Sequence, residues 1–290
     1  MKKFLSCEYQ LAEFRLLERG DYMLGFLNYE FMRRALVAAV AVSIMIPMVG
    51  VVLVLKRLSS TGEALSHTSL AGVIIGLIAG ISPILSAMLV SLAASLLIEY
   101  VRRAFPRYAE ISTNVVLSAG IGLAAVLSGF VGKASSLNSY LFGSLVSVSR
   151  SEIWLVIGLG VFVTALCLGM YKELLSVTLD EEAARLSGVP VRLVNTAFTV
   201  LTAIAVSAAA RIVGALMVSS LIVLPVACAI LVAKSYKMTL SISIAFAMFF
   251  SVAGLILSYH LDLQSGGTIV LLGVVTLFIM IPLKRKALKN

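Results

Sequence analysis

Residues 35–55 read ALVAAVAVSIMIPMVGVVLVL, a run that contains no Asp, Glu, Lys or Arg. Its length matches the ~20 apolar residues that an α-helix needs to cross the hydrocarbon core of a bilayer. Pro47 lies inside the run, and membrane helices tolerate proline because neighbouring groups can bond the freed carbonyl. The segment therefore predicts a transmembrane helix over residues 33–55.

Eight more apolar segments follow the first and predict an all-α polytopic membrane protein with about nine transmembrane helices: 64–81, 84–101, 112–131, 152–171, 191–210, 212–233, 239–260 and 267–283. Arg211 and Gly214 mark the predicted break between the sixth and seventh. Of the 290 residues, 60% are apolar and 13% are charged, against ~25% charged in a typical soluble domain. This composition excludes an ordinary soluble enzyme, a disordered chain and a disulfide scaffold.

The net charge of +9 does not indicate nucleic acid as a partner, because the basic residues lie in short loops between apolar runs, where they set membrane orientation. A cytoplasmic C-terminus places most of them inside: Lys56, Arg57, Arg102, Arg103, Arg107, Lys172, Arg185, Arg192, Lys234, Lys237, Lys284, Arg285, Lys286 and Lys289. The outside loops then hold Lys133, Arg150 and Arg211. This bias predicts a multi-pass membrane protein with these loops and its C-terminus in the cytoplasm.

Residues 1–30 form a separate N-terminal segment, ahead of a membrane domain over residues 31–290. Acidic and basic residues interrupt any signal-peptide core there. Two interpretations stay open, an amphipathic surface helix and a flexible tail. Nine spans place this segment outside, although six basic residues lie in it and at the start of the first span: Lys2, Lys3, Arg15, Arg19, Arg33 and Arg34. A tenth span is therefore the alternative.

Glu63 and His67 are four residues apart, so their side chains lie on one face of a helix, one turn from each other. A carboxylate oxygen and an imidazole nitrogen are ligands that suit divalent transition metals such as zinc or manganese. The structural alternative is a Glu–His pair hydrated at the end of a span. Spacing alone leaves both open.

On the same predicted helix, Gly72, Gly76 and Gly80 follow one another at intervals of four residues. Such a row of small residues allows close packing of a neighbouring helix. His260 and Asp262 lie at the end of the eighth span and do not face each other, so a solvated turn is the interpretation favoured there.

The loop at residues 172–190 predicts a short capped helix near 178–190. Thr178 or Asp180 can cap its start, acidic residues occupy its first turn, and Gly188 followed by Pro190 ends it. A helix capped so well is more than a connector requires.

Nucleotide-binding and metalloprotease motifs do not occur in the sequence. Gly132-Lys133 lacks the upstream glycine of a P-loop, and Gly120-x-Gly122-x-x-Ala125 matches a dinucleotide fingerprint only by letters, inside an apolar span. No permanently bound cofactor is expected, and the energy for any transport must come from a partner or an ion gradient.

The stretch Gly62-Glu63-Ala64-Leu65-Ser66-His67 resembles the Gly-Asp-Ala-Leu-Ser-His sequence in permeases of the ABC-3 family, which import zinc, manganese or iron. Three further stretches resemble the same family in the same order: Tyr140–Gly143, Arg211–Pro225, and Ser258–Asp262 with Thr268–Leu271. The resemblance covers about residues 31–280. Glu63 stands where the family more often has Asp, and Ala71 and Gln264 stand where proline is frequent.

The resemblance implies a homodimeric permease similar to the vitamin B12-type (type II) importer, located in a bacterial or archaeal cytoplasmic membrane. It implies two cytoplasmic ATPase subunits that bind ATP, an extracytoplasmic metal-binding protein and surrounding membrane lipid. Glu63 and His67 would then coordinate the transported Zn²⁺ or Mn²⁺. The segment resembling a Glu-Ala-Ala loop would couple the permease to the ATPases: Asp180, Glu181, Glu182, Ala183, Ala184 and Gly188. Tyr140–Ser144 looks closer to zinc than to manganese permeases.

Two alternatives differ in mechanism from this leading hypothesis of an ATP-driven importer of zinc, or else of manganese or iron. A secondary metal carrier driven by an ion gradient would need no coupling helix. An intramembrane hydrolase would need paired acids or a metalloprotease motif within the spans, and the sequence contains neither.

Overall fold

A computed structural model describes residues 29–105, 108–130, 139–143, 149–261 and 263–287. The predicted N-terminal segment falls almost wholly outside these ranges. Within them the principal elements are all helices: α1 Glu30–Leu55, α2 Ser59–Ala79, α3 Pro83–Ala104, α4 Ala109–Ser128, α5 Arg150–Gly169, α6 Tyr171–Leu179, α7 Glu181–Leu186, α8 Val191–Val213, α9 Ala215–Val232, α10 Tyr236–Leu261 and α11 Ser265–Ala287.

Nine of these helices, all except α6 and α7, are long and apolar enough to cross a bilayer, so the predicted number of spans is confirmed for the described part of the chain. The predicted break between the sixth and seventh spans lies at Gly214, between α8 and α9. The second span differs from its prediction, because α2 begins at Ser59 rather than near residue 64. Thr61 and Gly62 are buried among neighbouring helices. This packing stabilises a helical conformation in a polar stretch that the sequence predicts to be a linker.

Helix α1 lies at the centre of the bundle and packs against α5, α8, α9 and α10. Val42, Met45, Ile46 and Val49 on it are at most 1% exposed. A helix that is apolar on all sides belongs in such a position. Because lipid tails are as apolar as these side chains, close packing rather than the hydrophobic effect stabilises α1 there.

The polar contacts at the end of α1 define one end of the bundle. Lys56, just after α1, reaches Glu181 on α7 and Asn195 on α8, and shares a small cavity with Arg102 of α3. We call this the basic end, and it is the end that the charge count predicts to be cytoplasmic. The opposite end contains the C-termini of α2 and α8.

Candidate metal site and coupling region

Glu63 and His67 lie in the second and third turns of α2, near the basic end. In the single chain Glu63 is exposed and His67 is half-buried, and the two side chains interact electrostatically. The residues between and around them, such as Gly62, Leu65 and Ser66, are buried. The two predicted ligands therefore occupy the accessible face of a helix whose other faces are packed.

The buried face of α2 is fixed by contacts with α9 and α3. The hydroxyl of Ser66 donates a hydrogen bond to the carbonyl of Ala215 at the start of α9. The hydroxyl of Ser91 on α3 donates to the carbonyl of Leu65 at 3.1 Å. A Cβ at Gly62 would lie 2.5 Å from Cδ1 of Ile222, so α9 also approaches closely there. These contacts determine which face of α2 presents Glu63 and His67.

Helix α4 packs against a third side of α2, next to the backbone of His67 and Thr68. A Cβ at Gly120 of α4 would lie 2.8 Å from Cγ2 of Thr68 and 3.3 Å from the carbonyl carbon of His67. Gly120 is therefore part of the surroundings of the predicted site. The sequence draws attention to Gly120 only through the stretch Gly120-x-Gly122-x-x-Ala125, which matches a dinucleotide-binding fingerprint by letters and does not indicate this packing.

The glycine row of α2 has two different functions in the structure. Gly72 and Gly76 face α3, where an added Cβ would lie 2.7 Å from Cα of Ala87 and 2.9 Å from Cα of Pro83, respectively. Gly80 ends the helix with a φ of 68°, and nothing among the described residues lies within 4 Å of a Cβ built there. The predicted packing role of Gly80 is therefore corrected to helix termination, which favours glycine because a side chain is strained at this φ.

The loop at residues 172–190 contains two helices rather than one. Residues of α6 continue almost directly from α5, and α7 then begins after Asp180. Of the two candidate caps, Asp180 is the one used: its carboxylate accepts hydrogen bonds from the amides of Glu182 at 2.9 Å and Ala183 at 3.1 Å. Thr178 instead lies inside α6, where its hydroxyl bonds the carbonyl of Leu174.

Helix α7 projects from the basic end as an exposed surface. Ala184 is buried against the bundle, whereas Glu181, Glu182 and Ala183 are exposed. Leu186 on it is 90% exposed, so α7 presents a large apolar side chain away from the bundle. Gly188, with a φ of 84°, ends the segment.

A polar cluster connects α7 to the membrane helices. The ammonium group of Lys56 donates to Oε1 of Glu181 at 2.6 Å and to Oδ1 of Asn195 at 2.8 Å, and the Asn195 amide donates to the same carboxylate at 3.2 Å. Partial burial raises the pKa of Glu181, but Lys56, Asn195 and the charge of Arg102 outweigh it and hold this pKa below its ordinary value. The carboxylate is therefore ionised at neutral pH.

A second polar cluster lies at the opposite end of the bundle. Arg211, counted as a loop residue in the sequence, is in the last turn of α8 and only 8% exposed. Its guanidinium donates to both carboxylate oxygens of Glu152 on α5, at 2.9 and 3.2 Å, and lies 4.8 Å from the centre of the Tyr140 ring. Sequence reasoning missed this pair, since fifty-nine residues separate its members.

The segment that contains Tyr140 packs into the break between α8 and α9. A Cβ at Gly214 would lie 2.4 Å from the amide nitrogen of Gly143, so the two backbones are in direct contact. A Cβ at Gly266, at the start of α11, would lie 2.5 Å from the carbonyl oxygen of Phe142. Two stretches singled out in the sequence, Tyr140–Gly143 and Arg211–Pro225, thus meet the start of α11 at one place in the fold.

The second histidine of the chain lies apart from the first. His260 is exposed in the last turn of α10, with its ring 5.6 Å from that of Tyr259. Asp262 lies outside the described residues. Nowhere in the described ranges do three or more His, Cys, Asp or Glu side chains converge, so Glu63 and His67 form an incomplete ligand set in a single chain.

Nine membrane-length helices in the described part of the chain, with a short capped helix exposed at the basic end, define a multi-pass membrane protein. Residues 28–284 match the model of the ABC 3 transport family, and the chain belongs to that family. A probable metal transport system membrane protein of Treponema pallidum is 36% identical over 89% of this chain and 97% of its own length. The manganese transport system membrane protein MntC of Halalkalibacterium halodurans is 30% identical over 84% of each chain.

The fold comparison agrees with the family. The structure of PsaBC from Streptococcus pneumoniae in complex with Fab matches with a TM-score of 0.83 and 27% identity, covering 93% of this chain and 99% of that chain. The chain is thus the multi-pass membrane subunit of a bacterial ABC metal importer with the type II fold, and ATP hydrolysis lies in a separate subunit. This finding excludes the ion-gradient carrier and the intramembrane hydrolase.

Proposed function

We propose that Glu63 and His67 bind the metal ion as it passes through the permease. The observation that carries this proposal is their position: a carboxylate and an imidazole, one turn apart, on the accessible face of an otherwise buried membrane helix. Ionisable residues within membrane segments are costly and usually functional. In a metal importer, the function that matches these ligand types is replacement of the water shell of a divalent cation.

A second copy of the chain completes the site in this proposal. One chain brings a single carboxylate and a single imidazole to it. Two copies related by two-fold symmetry would supply four ligands and two negative charges against one divalent cation. Release of the ion requires that ligation be weaker than in a structural zinc site, where four protein ligands close around the metal.

Manganese is the cargo we favour. Zinc is predicted from the appearance of Tyr140–Ser144, but MntC, 30% identical to this chain, is named for manganese transport. Both ions suit mixed oxygen and nitrogen ligands, and zinc binds most such ligands more tightly. Delivery by an extracytoplasmic binding protein would then decide which ion reaches Glu63 and His67.

The segment from Asp180 to Gly188 receives the motion of two ATPase subunits in this proposal. Its support is the exposed surface around Leu186 and the hydrogen bonds from Lys56 to Glu181 and Asn195. Lys56 precedes α2 by only three residues. A displacement of α7 would therefore reach the base of the helix that carries Glu63 and His67.

The test is uptake of radioactive manganese and zinc by cells that contain the variant permeases at equal membrane levels. We expect Glu63→Gln and His67→Ala each to abolish uptake, because each removes one ligand type. Glu63→Asp should retain activity, since it restores the acid that is more common in the family.

His260→Ala is the matched control, because it removes the other histidine of the chain from an exposed position. It should leave uptake unchanged. Near-normal uptake of both metals by His67→Ala would refute the proposed site, whereas the ratio of manganese to zinc uptake in the unmodified protein decides the cargo separately.

A further inference from the structure

A groove of about 850 Å³ opens between α1, α5 and α10 at the basic end. Its inner wall includes Ile44 and Met48 of α1, Leu168 of α5 and Ile244 of α10. None of its lining residues lies on α2 or α4, so the groove is separate from the face that presents Glu63 and His67. The proposed metal site does not account for this space.

Aromatic and basic side chains mark the outer end of the groove as the membrane–water boundary. The ring of Tyr171, which lines the groove, lies edge-on to that of Tyr236, with 5.5 Å between centroids. Tyrosine and lysine are typical of this boundary. From Lys237 to Ile244 the helix rises roughly 10 Å, so the groove runs from the level of lipid headgroups into the hydrocarbon layer.

The charges at this outer end are complementary to a headgroup that carries both signs. Lys172 and Lys237 are exposed at the rim. Glu173 lies beside Lys172, and its Oε2 atom is buried without a hydrogen-bond partner among the described residues. A buried carboxylate oxygen without a donor is costly, and basic pockets between membrane helices are known sites for lipid phosphates.

We propose that this groove binds phosphatidylethanolamine from the leaflet at the basic end. The lipid phosphate lies between the ammonium groups of Lys172 and Lys237, and the lipid ammonium donates a hydrogen bond to Glu173. An acyl chain lies along Ile44, Met48 and Ile244. Phosphatidylcholine offers the same phosphate but no N–H donor, and phosphatidylglycerol offers a hydroxyl donor but no positive charge.

The test is native mass spectrometry of the purified permease–ATPase complex, released from nanodiscs that contain equal amounts of the three lipids. We expect phosphatidylethanolamine to be retained about tenfold over phosphatidylcholine, since one charge-assisted hydrogen bond separates them. Stepwise methylation of the headgroup nitrogen should lower retention as N–H donors are lost. This series uses the unmodified protein and does not depend on the folding of a variant.

Variants then assign the contacts. Glu173→Gln should abolish the preference for phosphatidylethanolamine over phosphatidylcholine. The combined Lys172→Ala and Lys237→Ala change should weaken binding of both of these lipids. Lys234→Ala is the matched control, an exposed lysine just before α10 that does not line the groove, and it should behave as the unmodified protein. Equal retention of both lipids, stronger retention of phosphatidylglycerol, or an unchanged preference in Glu173→Gln would overturn the proposal.

Discussion

The two ion pairs at opposite ends of the bundle have different designs. Arg211 and Glu152 are joined by two hydrogen bonds, with side chains 8% and 20% exposed, and both belong to membrane helices. Lys56 and Glu181 share one hydrogen bond, with side chains 11% and 46% exposed, and Glu181 belongs to the six-residue helix α7. The first pair can fix two spans rigidly, whereas the second connects a small exposed element to the bundle.

The difference shows that similar chemistry serves two purposes according to burial and attachment. A buried pair that loses one partner leaves an uncompensated charge and costs stability. A half-exposed pair such as Lys56–Glu181 contributes little to stability. Its main effect is to fix the position of α7 relative to α1 and α8. Three experiments separate these purposes.

The largest effect is expected from Arg211→Ala. It should destabilise the protein by about 3 kcal/mol, because Glu152 keeps its charge in a largely buried position. Lys56→Ala should cost about 1 kcal/mol or less, since water and Asn195 remain available to Glu181. The measurement is the apparent thermal unfolding midpoint of the complex in nanodiscs at one scan rate.

Arg211→Lys serves as the control for charge, because it keeps the cation but cannot form the same two-pronged contact. The unfolding midpoint of Arg211→Lys should lie between those of Arg211→Ala and the unmodified protein. Equal midpoints for Arg211→Ala and Lys56→Ala would show that burial does not distinguish the two pairs.

A smaller effect on stability, but a specific one on coupling, is expected from Gly188→Ala. Gly188 and Gly80 both have a positive φ, and no atom of the described residues lies within 4 Å of a Cβ built at either position. Alanine should therefore cost each position about 1 kcal/mol through backbone strain alone. Only Gly188→Ala, at the end of the proposed coupling segment, should lower the metal transported per ATP hydrolysed.

The readouts are uptake and metal-stimulated ATPase activity of the complex in proteoliposomes, with Gly80→Ala as the matched control. If both variants keep the ratio of transport to hydrolysis, the segment ending at Gly188 does not couple the two. If Gly188→Ala and Gly80→Ala both lower the ratio of transport to hydrolysis, the effect comes from general backbone strain.

The smallest effect is the pH dependence of the Lys56–Glu181 pair. The pKa of Glu181 is lower in the folded protein than its ordinary value. The stabilisation is therefore complete above the ordinary glutamate value and is lost as pH falls through the lowered one. The difference in unfolding midpoint between the unmodified protein and Glu181→Gln should be constant from pH 6 to 8 and shrink only in acid. A difference that changes between pH 6 and 8 would contradict this assignment.

Sequence patterns predicted the spans because each depends on local composition. The apolar run before Lys56, the cap at Asp180 and the break at Gly214 are all decided by residues close to one another in the chain. The start of α2 was misplaced because Thr61 and Gly62 are buried by residues far away in sequence. The spacing of Gly80 likewise predicts packing, because it matches that of Gly72 and Gly76, but no described helix lies close to Gly80.

Sequence alone determined that this chain crosses a membrane about nine times, and it placed a carboxylate and an imidazole on one face of the second span. Composition and helical periodicity are sufficient for these conclusions because a bilayer accepts few backbone arrangements. Tertiary structure decided which face of α2 is accessible, that Glu152 binds Arg211, that Lys56 binds Glu181, and that a groove opens between α1, α5 and α10. These features depend on contacts between residues distant in sequence, and helix packing, rather than local pattern, brings such residues together.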